Sequence, residues 1–168
     1  MVKDAIQKLS PDATYRDAMR DLIAARFGAV WKAVPVALEG TDPEGVHDVR
    51  VASRRLRAAM DVAVGCFPGS WYKPLHDAAK EITTALGDVR DRDVLLEYLV
   101  KERDEMSSNE RAGIERLIAR IERERDSARA NMLTFLAKLE SKNIAGEAER
   151  RFGPDAAAPW SDLNGSQQ

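Results

Sequence analysis

The sequence predicts an all-α fold: an antiparallel bundle of about five helices, four-helix-bundle-like, with a disordered C-terminal tail. Three observations lead there. Apolar residues recur at helical spacing over long segments, strand-like alternation is scarce, and prolines and glycines fall between the periodic segments. A chain of 168 residues is long enough to bury a core of its own. One domain is expected over residues 1–153, with the tail at 154–168.

The first helix is expected from about Thr14 to Leu38, with Leu22, Ala25, Ala29 and Val30 on one stripe, extended by Trp31 and Val34. Pro35 should kink it or end it near its last turn. Asp42 followed by Pro43 reads as an N-cap and a first-turn proline. The second helix should therefore run from there to about Cys66 and stop at Pro68 and Gly69. Ser70 can cap a third helix, Trp71 to Leu86, with Gly87 as its stop. A shorter fourth helix covers roughly Val89 to Arg103. The fifth, about Glu110 to Leu139, carries the stripe Ile114, Leu117, Ile118, Ile121, Ala128, Met132, Phe135, Leu136 and Leu139. The segment "AGEAERRF" is a weak helix candidate. The tail "GPDAAAPWSDLNGSQQ" holds too few apolar residues to order itself.

Composition narrows the function classes. The net charge of −2 argues against a uniformly basic nucleic-acid binder. A polyanion would need positive charge gathered on one surface, because the local field counts for more than the total. The single cysteine, Cys66, allows no internal disulfide and no paired-cysteine metal site. Its simplest reading is a small buried apolar residue in a reducing compartment. No segment approaches the ~20 apolar residues needed to cross a bilayer, and the first residues have no apolar core of signal-peptide length. The expectation is a soluble cytoplasmic protein without membrane attachment. Phosphate-binding glycine loops, nucleophile elbows and zinc-type histidine motifs are missing, so neither an enzyme nor a cofactor or metal is expected.

Charge is concentrated in "VHDVRVASRRLRAAM", residues 46–60. At about 100° per residue, Arg54 falls within about 20° of His47, Arg50 about 60° away and Arg57 about 80° away. Arg55 lies on the flank. Val49, Ala52, Leu56, Met60 and Ala63 point the opposite way. The ordinary reading is a solvated face whose arginines pair with carboxylates such as Asp61. Against it, like charges at these spacings repel, while a row of planar guanidinium forks suits successive phosphates. A second cluster, "LGDVRDRDVLL" at 86–96, places Arg90 and Arg92 on opposite sides, so at most one joins the first stripe. Asp88 and Asp91 would favour a helix start there, and Asp91 and Asp93 would brace the arginines. Lys73, His76 and Lys80 share one side of the third helix and could extend a basic surface, although a lone His76 is more simply a surface histidine.

Taken together, "VHDVRVASRRLRAAM" and "LGDVRDRDVLL", some thirty residues apart, resemble the two motifs of the CHAD family, the conserved histidine α-helical domain. The resemblance covers roughly residues 14–140. It implies a helical domain that binds inorganic polyphosphate without catalysis and is associated with polyphosphate granules. By motif match it makes His47, Arg50, Arg54, Arg55, Arg57 and Arg90 candidate phosphate ligands; Lys73, His76 and Lys80 rest on position alone. CHAD domains are usually longer, with a second similar bundle, and this chain resembles only the first half. A homodimer in which each copy supplies the other's missing half is the corresponding expectation. Two other readings use the same stripe: a helical adaptor for an acidic protein, and a nucleic-acid-binding module. The latter lacks aromatic residues interleaved with the basic ones.

Overall fold

Five helices follow one another in the computed structural model, which describes residues 12–39, 43–107 and 109–153. They are α1 (Tyr15–Glu39), α2 (Pro43–Val62), α3 (Gly69–Glu105), α4 (Arg111–Ser141) and α5 (Ile144–Phe152). The described residues contain no strand. The expected Asp42 cap and the tail at 154–168 lie outside the described residues.

The start of α1 is fixed by a reciprocal cap. The Asp17 amide donates to Thr14 Oγ1 at 3.2 Å, and the Thr14 amide donates to an Asp17 oxygen at 3.3 Å. Two of the helix's four orphan amides need such partners. The Thr14 hydroxyl also donates to the Asp17 carboxylate at 2.6 Å, and this bond above all holds that carboxyl below the usual carboxylate range. The buried stripe of α1 is Met19, Ile23, Phe27, Val30, Val34 and Ala37; Val30 and Val34 are among the expected residues, whereas Leu22, Ala25, Ala29 and Trp31 are only half-buried. Burying Phe27 and Ile23 removes more apolar area than burying alanines. Pro35 does not end the helix. Its missing amide costs one hydrogen bond, but Val34 and Ala37 on either side pack into the core.

The largest departure is α3. One 37-residue helix replaces the two expected helices, and neither Gly87 nor the aspartates interrupt it. A mid-helix glycine costs about 1 kcal/mol relative to alanine. Here Ile82, Leu86 and Val89, all fully buried, outweigh that cost. Asp88 and Asp91 are therefore mid-helix residues and cap nothing. Ser70 also makes no cap: the helix begins at Gly69 behind Pro68, with no side-chain hydrogen bond to its amides. A Cβ added at Gly87 would meet nothing within 4 Å. Gly87→Ala should therefore raise stability by about 0.5–1 kcal/mol, a gain of about 2 °C in thermal melts.

Consecutive long helices run antiparallel. Met60 and Asp61 of α2 meet Tyr72 and His76 of α3, and Arg50 meets Asp91. Asp93 of α3 meets Arg125 of α4. The main core gathers α1, α2, the first half of α3, the second half of α4, and α5. The weak segment of the sequence is a full element of it. Phe152 of α5 is 2% exposed, with its ring 5.4 Å from both Phe67 and Trp71 and 6.1 Å from Phe27. Arg151 lies over the Trp71 ring at 5.2 Å and donates to Glu147. That bond, with Arg150 beside it, holds the Glu147 carboxyl below its ordinary range. Past Asp93, α3 and α4 continue as a two-helix hairpin with a separate small core of Leu99, Ile114, Ile118 and Ile121.

Candidate functional site

The second helix divides into two faces. Val49, Leu56, Met60 and Ala63 are fully buried, Ser53 and Ala59 are buried beside them, and Ala52 is partly buried against the core. Burial on this scale, about 1.5–3 kcal/mol for each large side chain, fixes the rotation of α2. The opposite side, with Arg54, Arg55 and Arg57, is therefore held outward.

Along that outer side each basic residue has a distinct setting. Arg54 and Arg55 are exposed and form no ion pair among the described residues. Arg50 lies 3.9 Å from Asp91, and Arg57 3.6 Å from Asp61. Both distances exceed hydrogen-bond range. Pairs this exposed contribute about 0–1 kcal/mol, so a multivalent anion can displace them. His47 is half-buried, and its Nδ1 is buried without a hydrogen-bond partner. An unsatisfied buried ring nitrogen carries a desolvation cost of about 1–3 kcal/mol, which a ligand oxygen or a water can relieve.

The first half of α3 lies beside this face. Lys73 is exposed and donates to Asp77 at 2.8 Å. That hydrogen bond raises the ammonium's affinity for its proton and lowers that of Asp77. Lys80 is partly exposed, 3.8 Å from the same Asp77. His76 departs from the surface reading: it is 8% exposed, packs against the Tyr72 ring, and its Nε2 lies 2.7 Å from Asp61 Oδ1. Asp61 thus serves His76 and Arg57 together. Sequence spacing offered Asp61 as a partner for Arg57, but only the α2–α3 contact shows His76. Below it, the Tyr72 hydroxyl donates to the Met60 carbonyl at 2.6 Å, and burial pushes its proton affinity well up, which keeps it a donor.

The second motif is split as its spacing implied. Arg90 is largely buried and reaches Glu97 at 3.3 Å. Arg92 turns the other way, donating to the Asp88 carbonyl at 2.7 Å and approaching Glu124 of α4. Asp93, 7% exposed, accepts from Arg125 at 2.6 Å. Asp91 reaches toward Arg50, and Asp93 ties α3 to α4. Among the described residues, no three His, Cys, Asp or Glu side chains are grouped to hold a metal ion, and no helix is long and apolar enough to cross a membrane.

These features define an all-helical domain whose second helix buries one side and leaves Arg54, Arg55 and Arg57 exposed on the other. The chain belongs to the CHAD domain family, whose profile matches residues 21–164. No curated protein and no solved structure matches it.

Proposed function

We propose that this chain binds inorganic polyphosphate, without catalysis, along the outer side of α2. Arg54 and Arg55 are the open cationic contacts. Arg50 and Arg57 join by exchanging long ion pairs for phosphate oxygens, and His47 supplies a ring nitrogen at one end of the row. Lys73 and Lys80 lengthen the positive surface from α3. Arg90 contributes field from behind its pair with Glu97. His76 acts through Asp61, setting how firmly that carboxylate holds Arg57. The protein would work in the cytoplasm, at polyphosphate granules, as a homodimer.

One observation carries this reading: Arg54 and Arg55 stand exposed without a carboxylate partner among the described residues, on a helix that cannot rotate because its other side is fully buried. Adjacent like charges repel on such a face, and a string of phosphate oxygens would relieve that repulsion. The stripe from His47 to Arg57 spans roughly 15 Å at about 1.5 Å per residue, long enough for several consecutive phosphates.

The test is binding of long-chain polyphosphate by wild type and Arg54→Ala across a salt series. Affinity should fall steeply with salt through counterion release, and loss of one contact should weaken binding and flatten the salt slope by about one. An unchanged slope would remove Arg54 from the site. A duplex or single-stranded nucleic acid that displaces polyphosphate at equal phosphate concentration would favour the nucleic-acid reading.

A further inference from the structure

We propose that the α3–α4 hairpin is a dimerisation surface, and that its occupant is the same hairpin of a second copy of this chain. The two together would complete a four-helix bundle. The inference does not depend on polyphosphate binding.

The hairpin extends roughly 20 Å from Asp91 to Glu105, at about 1.5 Å per residue. Its small core is thinly covered: Leu99, Ile114, Ile118 and Ile121 retain 7–8% exposure, whereas Ile23, Leu56, Met60 and Ile82 of the main core retain none. Two helices alone cannot enclose an apolar stripe, and a second pair is the usual solution.

Large apolar side chains are left outside it. Val94, Leu95 and Tyr98 of α3 are 47%, 39% and 57% exposed, and Leu117 of α4 is 42% exposed. Val94, Leu95 and Tyr98 follow Asp91 at helical spacing. They continue the side of α3 that meets α2 at His76 and Asp91. A clustered apolar ridge of this kind marks an interaction site, unlike apolar residues scattered singly.

Charge selects the occupant. From Val94 to Glu105, α3 carries four acidic and two basic side chains; from Arg111 to Arg123, α4 carries four arginines and two glutamates. A two-fold axis that seats α3 of one copy on α4 of the other brings opposite signs together twice, which is the self-complementarity that closed dimers need. It would also bring the His47 end of each basic stripe towards the shared interface.

The test is sedimentation of the full chain in buffer without polyphosphate or other multivalent anions. Wild type should run at twice the 18.7 kDa chain mass at micromolar concentrations. Leu95→Asp combined with Tyr98→Asp should run as a monomer with unchanged circular dichroism, since both side chains are substantially exposed. Glu102→Arg with Glu105→Arg should weaken the dimer at least tenfold, as should Arg116→Glu with Arg120→Glu, and the four changes combined should restore it. A monomeric wild type at 100 µM would overturn the proposal, as would a dimer indifferent to Leu95→Asp with Tyr98→Asp. Failure of the combined charge reversal to restore association would overturn the α3-on-α4 arrangement. Because the readout is mass in the absence of the polyanion, these results are separate from those on the basic stripe.

Discussion

Replacing Arg50 and Arg57 with glutamine and Arg54 with glutamate should weaken polyphosphate binding by roughly 100-fold or more while leaving the helical fold in place. The choice of residues follows from the settings of the three arginines. Arg50 and Arg57 each lie beside a carboxylate, Asp91 and Asp61, so glutamate there would add repulsion and confuse lost binding with lost stability. Arg54 has no such neighbour among the described residues and tolerates reversal. A hydrogen bond to a charged group contributes about 1.5–3 kcal/mol. Even allowing for non-additivity, losing three should weaken binding by roughly 100-fold or more, since each 1.4 kcal/mol is tenfold. Titration calorimetry at low salt, with circular dichroism on the same samples, reads both outcomes. Retained affinity in a folded variant would move the site off α2.

The largest stability effect is expected at Phe152. Phe152→Ala should cost about 3–5 kcal/mol, the range for emptying an aromatic core position. At about 2–4 °C per kcal/mol for a chain of this size, the melting temperature should drop by about 10 °C. Phe152 is 2% exposed and its ring contacts those of Phe27, Phe67, Trp71 and Tyr72, which come from two separate stretches of chain. No rearrangement of the short α5 can refill that space. Scanning calorimetry of the variant decides whether α5 is part of the cooperative unit: a drop of only a degree or two would mean it is a peripheral appendage.

The rotation of α2 was legible in the sequence. Val49, Leu56, Met60 and Ala63 on the buried side and Arg54 and Arg57 on the exposed side obey a period that depends only on helix geometry. The bounds of α1 and α4 were also close, because long amphipathic segments carry their own signal. Gly87 misled. Its propensity is a local cost of about 1 kcal/mol, and nothing local shows that Leu86 and Val89 are buried against other helices. In α1 the expected Val30 and Val34 are buried, but Met19, Ile23 and Phe27 were missed for a similar reason: the burial of Phe27 beside Phe152 depends on α5. The segment "AGEAERRF" gave only a weak local signal, yet it forms most of α5, because Phe152 docks on Phe27, Phe67 and Trp71 far away in the chain.

By itself, then, the sequence determined what periodicity and side-chain chemistry can encode: an all-helical domain, and an amphipathic second helix with Arg54, Arg55 and Arg57 away from its apolar side. Tertiary structure alone decided which cations are open and which are engaged. His76 became a buried partner of Asp61, and Asp93 was committed to Arg125, while Arg54 and Arg55 stayed exposed. The physical reason is that an ion pair or a buried contact across helices depends on distances between residues remote in the chain, set by how the helices dock. Helical period fixes only the direction in which a side chain leaves its own axis.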